Sequence, residues 1–443
     1  MSNHDETVYS LPRLIAFASP AFTVGALGLP LIIFLPPLYA ELGLDLAIVG
    51  GIFMVARFFD VITDPVFGIV GDKVRTPLGR RRPVLIASVP VLLVGIYFAF
   101  NPAEVVSQTY ALSFLLLLYL GWTMFTLSHT TWARELSTGY HERSRVMSIV
   151  SAASLFGAFA IVIVPATFDA LAPDTATKDK VSAMGWFLIL PMPFLVALSL
   201  WAGHENPAAQ PAPMKWREAI AAIFQNRPLR RLLLADLLSG LQSGVNGSLH
   251  LFFVALVLKM PQAASGYIVL IFLSSFLFVP VWLQVSYRFG KHRTLCYIAL
   301  FSAFASGSAL FVPEQGFMIG AVVYVLIGVG LGASGAMMRA IMADVVDEDT
   351  LVTQNDRGAL FYAMLTMTDK LGLALAVGIT YPILNWIGFD ANGVNDQSTL
   401  DGVRWVMVFT PLLINILIVF IMWRFPLDEA RQQEVARLLA EKT

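Results

Sequence analysis

The chain has 443 residues, 57% of them apolar and only 13% charged. Soluble domains average roughly 45–50% apolar and about 25% charged, so an ordinary soluble domain is excluded. The net charge of −1 says nothing about a partner, and no nucleic-acid partner is expected. Apolar runs of about 20 residues, long enough for a roughly 30 Å hydrocarbon core, recur along nearly the whole sequence. They are continuous rather than alternating, which excludes a β-barrel. The fold class expected is an all-α membrane protein. The single cysteine, Cys296, rules out an intramolecular disulfide and argues against a metal–thiolate site.

The polar start "MSNHDETVYS" lacks a basic n-region, and the run after it is too long for a cleaved signal segment, so a retained first helix is expected. Twelve spans are predicted. In the first half they lie near 11–39, 46–71, 83–101, 108–132, 146–170 and 182–203. In the second half they lie near 230–258, 264–288, 293–312, 316–343, 358–387 and 402–424. The organisation expected is a six-helix bundle over 1–203, a cytoplasmic linker over 204–229, a second bundle over 230–425 and a tail over 426–443. The linker "GHENPAAQPAPMKWREAIAAIFQNRPLRR" is Pro/Ala-rich, polar and then briefly amphipathic. The tail "LDEARQQEVARLLAEKT" reads as a short amphipathic helix. Of the 29 Lys and Arg, only Lys178, Lys180, Lys259 and Arg404 fall in external loops, and Arg57 and Lys370 fall inside spans. The rest lie on the side shared by both termini, which the positive-inside rule makes cytoplasmic.

The halves echo one another. "GDKVRTPLGRRRP" after span two is answered by "SYRFGKHR" after span eight. Glu135 is followed by Arg145 after span four, and Asp347 by Arg357 after span ten. A duplicated six-helix unit is the reading, two such halves make the architecture of major facilitator carriers, and their substrate site is expected near the midplane between the halves.

Span two contains "VARFFDVITDP", with Arg57, Asp60 and Asp64 deep in an apolar run. A charge at a span's centre costs about 2.5–3.5 kcal/mol on insertion scales. Spacings of three and seven residues put all three on one helix face, which must look into protein or water. An ion-pair cluster that only pins helices would be satisfied by one Arg and one Asp. A second Asp within one turn asks for a further positive charge from a proton, Na⁺ or Lys370. Pro65 lacks the N–H that would bond the Val61 carbonyl, and a freed carbonyl beside two carboxylates suits a hard cation. Thr63 is a further oxygen, although its side of the helix fits poorly.

Lys370 sits in "LTMTDKLGLALAVG" beside Asp369, either competing with a cation for Asp60 or Asp64 or permanently paired with one acid. Asp236 lies about a turn past Arg230 and Arg231 and reads as an interfacial ion pair. Gln242 and Asn246 share one face of span seven, as substrate hydrogen bonders or as interhelical glue. His129, next to Ser128 and near Trp132, is a substrate-site alternative to a helix-packing histidine, and His250 also falls within a span. "NGS" at 246–248 is a glycosylation sequon in letters only, because it lies in the membrane. "GVGLG" at 328–332 has no strand before it and reads as close helix packing. No nucleotide-binding loop and no nucleophile–base set occurs, so an enzyme is not expected.

At these residues the chain resembles the glycoside–pentoside–hexuronide:cation symporters, the melibiose permease family. The similarity is carried by "RFFDVITDPVFGIVGDKVRTPLGRRRP" and by "MADVVDEDTLVTQNDRGALFYAMLTMTDKLGLALAVGI". It implies a major facilitator fold and solute uptake driven by Na⁺ or H⁺. It implies cation binding by Asp60 and Asp64, with Arg57 and Lys370 in the coupling network, and a sugar-site role for Trp132. Two departures stand out. Ser128 occupies the place of a sugar-binding aspartate, and span one has no charge between Arg13 and Glu41. Related animal proteins carry lysolipids, so an amphipathic substrate stays open beside a sugar-like one, as does an organic acid.

The expectation is therefore a symporter of a small solute in the bacterial inner membrane, both termini cytoplasmic, monomeric, without cofactor or resident metal beyond a transported Na⁺. A passive facilitator is the rival. Asp72 with Arg80 and Arg81, Glu135 with Arg145 or its neighbours, and Asp347 with Arg357 are expected as a cytoplasmic gate, with ordinary positive-inside anchoring as the alternative for those charges.

Overall fold

The computed structural model describes residues 9–136, 140–204, 222–355 and 357–441. Among them twelve helical stretches are long and apolar enough to cross a membrane. The chain divides into two compact units, Met1–Pro213 and Met214–Thr443. Residues 205–221, most of the expected linker, lie outside the described residues.

In the first unit, span one is α1 (Leu11–Ala18) and α2 (Pro20–Ile33), and α3 (Leu35–Glu41) follows it. The single span expected over 11–39 is broken because Pro20 and Pro36 each open a new helix, where a missing N–H costs nothing. Spans two to five are α4 (Leu46–Lys73), α5 (Arg82–Phe100), α6 (Gln108–Glu135) and α7 (Tyr140–Leu171). Span six is α8 (Thr177–Ile189) and α9 (Met192–Ala202), interrupted at Pro191.

In the second unit, span seven is α10 (Arg227–Phe252), which continues through a π-helical turn, Phe253–Val257. Spans eight to twelve are α11 (Ala264–Phe289), α12 (Lys291–Ser308), α13 (Phe317–Thr353), α14 (Gly358–Trp386) and α15 (Gln397–Met422). The tail forms α16 (Glu429–Ala440). Helix α13 overruns the expected end at 343 by three turns. "ADVVDEDTLVT" is polar yet helix-competent, and the helix stops only where Gln354 turns left-handed at φ 56°.

The two units use one packing plan. In the first, span one packs on spans five and six, span two on four, and span three on four and six. In the second, span seven packs on eleven and twelve, eight on ten, and nine on ten and twelve. Adding six to each span number converts one set into the other. The packing thus repeats what the loop charges suggested.

The tightest crossings repeat as well. A Cβ at Gly25 would overlap Ser154, and one at Gly157 would overlap the Phe22 carbonyl, where spans one and five cross. In the second unit Gly240 abuts the Asp369 carbonyl and Gly372 abuts that of Leu237, where spans seven and eleven cross. Small residues let helices approach where apolar burial gives no drive over lipid. "GVGLG" packs on both sides. Gly328 and Gly332 meet Ser274 and Ser275 of α11, while Gly330, about 200° around the helix, meets Ser302 of α12.

Gly157→Ala should therefore lower stability by about 1–3 kcal/mol, the usual cost of overpacking. Gly51→Ala, where a Cβ meets nothing within 4 Å, should not. Thermal unfolding of the two purified variants checks the difference.

Candidate functional site

Arg57, Asp60 and Asp64 all lie on α4, which runs unbroken through Pro65. Arg57 is 7% exposed and Asp60 2% exposed, while Asp64 is half-buried. The first unit therefore buries the start of this charged face and leaves Asp64 more open.

Span four supplies the partners. The Thr123 hydroxyl donates to Asp60 Oδ1 at 2.7 Å. Arg57 Nη1 stands 3.8 Å from Asp60 Oδ2, a long ion pair. Its guanidinium also lies over two rings of α6, 5.0 Å from Tyr119 and 5.6 Å from Trp122. Aromatic faces attract a cation most strongly where water is excluded, so Arg57 is held by quadrupoles as well as by carboxylate. Thr63 is nearer the site than its helical position suggested. Its hydroxyl donates to the Asp60 backbone carbonyl at 3.1 Å and lies 3.4 Å from Thr123 Oγ1. With the Val61 carbonyl relieved of its usual donor by Pro65, this part of α4 and α6 is rich in oxygen and carries acidic charge. That chemistry suits a proton or a hard monovalent cation as cargo.

Thr123, Tyr119 and Trp122 were not singled out from the sequence. Span four holds several hydroxyls and rings, and only the register of α4 against α6 selects these three.

The residues expected around a sugar in span four are engaged elsewhere. Trp132 is 0% exposed, and its indole N–H donates to the His204 carbonyl at 3.0 Å. The Arg82 guanidinium lies 5.4 Å from its ring, near the C-terminal end of α6. His129 Nε2 is 2.9 Å from the Phe17 carbonyl and its ring stacks on Phe17 at 5.0 Å. Ser128 is buried beside it. These three form the interior of the first unit, because span one crosses over them. His250 is likewise a packing histidine, Nε2 being 2.8 Å from the Ala264 carbonyl.

In the second unit Gln242 and Asn246 are half-buried one turn apart on α10. They lie about 200° around that helix from Gly240 and Gly244, which face α14. Among the described residues neither side chain makes a hydrogen bond. Polar groups at membrane depth need a partner or water, so these two amides are available to a solute. Lys370 is half-buried on α14, next to Asp369.

The expected cytoplasmic gate takes a different form. Glu135 is bound by Arg80 at 2.9 Å and by Arg81 at 2.8 Å. Arg145 instead pairs with Glu142 at 3.3 Å and donates to the Tyr9 carbonyl. Arg357 pairs with Asp349, not Asp347, and Asn226 donates to the same carboxylate. The ten-residue spacing misled because α13 continues past 347 and turns Asp349, half a turn later, toward Arg357. The counterpart of the Glu135 pairs is Lys291 with Asp344, at 2.6 Å. Each pair joins elements of one unit, so these charges brace bundles internally. The Asp72 side chain lies outside the described residues.

Comparison with known proteins agrees with this architecture. Residues 16–429 match the family described as MFS/sugar transport protein. The glucuronide carrier protein homolog of Escherichia coli is 23% identical, over 94% of this chain and 91% of its own. The human sodium-dependent lysophosphatidylcholine symporter 1 is 21% identical, over 88% of this chain and 78% of its own. The crystal structure of nucleoside transporter NupG superposes with a TM-score of 0.67 at 14% identity, covering 94% of this chain and 99% of that one, which shows a shared fold. The chain is thus a multi-pass membrane transporter and belongs to the MFS/sugar transport protein family.

Proposed function

We propose that the protein is a symporter that couples the inward gradient of Na⁺ or H⁺ to uptake of a small sugar-like solute by alternating access. The observation that carries this reading is the α4 site. Two carboxylates one turn apart, Asp60 and Asp64, stand with the Thr63 and Thr123 hydroxyls at membrane depth. A passive facilitator has no need of an acidic pair that is costly to insert. Arg57, anchored on Tyr119 and Trp122, also pairs with Asp60, and Asp64 is the more open of the two acids. Lys370 belongs to the coupling network by the family resemblance.

Gln242 and Asn246 are the solute hydrogen bonders of this reading. A glucuronide carrier homolog among the relatives supports a sugar-like solute. A lysophosphatidylcholine symporter among them, and Ser128 where an acid would grip a sugar, favour an amphipathic solute as the second reading. A thermal-shift panel of glycosides, hexuronates and lysolipids, each with and without Na⁺, separates the two. A bacterial relative and the Lys/Arg asymmetry support a reading in which the protein lies in an inner membrane with both termini cytoplasmic.

Asp64→Asn should abolish accumulation of the solute identified by that panel in proteoliposomes, leaving at most equilibration, while the protein stays folded. Undiminished accumulation against its gradient would contradict the coupling assignment.

Glu135→Gln removes the charge that holds Arg80 and the buried Arg81. It should lower the thermal unfolding temperature of the purified protein, since two ion pairs to one largely buried carboxylate are lost. The ratio of solute to cation transported should stay at the wild-type value, because the brace lies inside one unit. A changed ratio measured in proteoliposomes would restore the gate reading.

A further inference from the structure

Asp236 was expected to pair with Arg230 or Arg231 at the membrane interface. The structure places it elsewhere. It is 7% exposed, five residues beyond Arg231 and so about 7.5 Å deeper along α10. Arg231 turns away, its Nη1 donating to the Arg424 carbonyl at 2.5 Å. Among the described residues no Lys, Arg or His nitrogen comes within ion-pair distance of Asp236. A neutral hydroxyl, Thr368 of α14, donates to its Oδ2 at 2.7 Å.

A carboxylate buried without a cation is costly to keep ionised, and hydrogen bonds from the Thr368 hydroxyl and the Asp369 backbone offset only part of that cost. The charged groups that face it from the packed elements oppose one another. Asp369 of α14 adds negative charge, and Arg339 of α13 adds positive charge at longer range. Both of those side chains are exposed on the second unit, while the carboxylate stays inside it. Gly240, one turn on from Asp236, sits directly against the Asp369 carbonyl, so α10 and α14 pack closely beside the carboxylate.

We propose that Asp236 is a proton-binding site of the second unit, filled from water at the rim formed by Asp369 and Arg339, and distinct from the α4 acids. The step is a simple transfer: a proton from water joins Asp236 to give the neutral acid, and it returns to water when the carboxylate reforms with the Thr368 hydroxyl as donor. Neutral Asp236 still accepts that hydrogen bond, so both forms fit the same packing.

The test is infrared spectroscopy of the full-length protein in lipid nanodiscs, titrated with acid and base in the absence of solute. Wild type should show the carbonyl band of a protonated carboxyl shielded from water, and folded Asp236→Asn should lack it. The Asp60→Asn/Asp64→Asn double variant should retain the band, so a failure of the coupling assignment on α4 is separable from a failure here. Thr368→Val removes the donor to the ionised form, so the band should persist to higher pH, by about one pH unit. A folded Asp236→Asn with the wild-type band would overturn the proposal. So would a Thr368→Val midpoint equal to wild type, and that arm decides alone should Asp236→Asn not fold.

Discussion

A carboxylate placed in hydrocarbon has to find donors inside the protein, and the hydrogen bond from Thr123 to Asp60 is where this chain meets that demand. The rest of the α4 site follows from it. It fixes the register of span two against span four, which in turn brings Tyr119 and Trp122 over Arg57 and sets Thr63 beside Thr123. Without that register the three charges of α4 would be an insertion penalty. With it they form a compact set of acids, hydroxyls and one anchored cation.

The same economy appears in the duplicated packing. Each unit builds its core from the same helix pairs, brings span one or seven against span five or eleven through facing glycines, and ties the end of span four or ten to the basic segment before span three or nine. Each bundle is thus braced at its close crossings and at the end of span four or ten, and firmly packed halves are what a carrier working by alternating access requires. Among the charges expected to form a gate, Glu135, Arg80 and Arg81 also make ion pairs of this bracing.

Much of the fold was legible because hydrophobic run length is a strong signal in a membrane chain. The charged face of α4 was legible because three ionisable residues at helical spacing in an apolar run admit few explanations. What stayed hidden depends on contacts between elements far apart in sequence. Nothing local in the sequence showed that span one packs on Trp132 and His129, Phe17 stacking on the imidazole and meeting the indole edge-on. Arg357 found Asp349 because a helix ran on for turns that polar composition had concealed. Asp236 seemed to have arginine partners in sequence, but five and six residues on a helix point to other sides. Thr123 carried no mark at all, since one hydroxyl among several is selected only by its neighbour.

The central claim is that Asp60 and Asp64 hold the transported cation, and the most direct measurement of it is equilibrium cation binding to the purified protein without solute. Wild type should bind one cation per chain at a site for which Na⁺ and protons compete, and the Asp60→Asn/Asp64→Asn double variant, folded as judged by its thermal unfolding, should have lost that site. A double variant that binds the cation with wild-type affinity and stoichiometry would contradict the account.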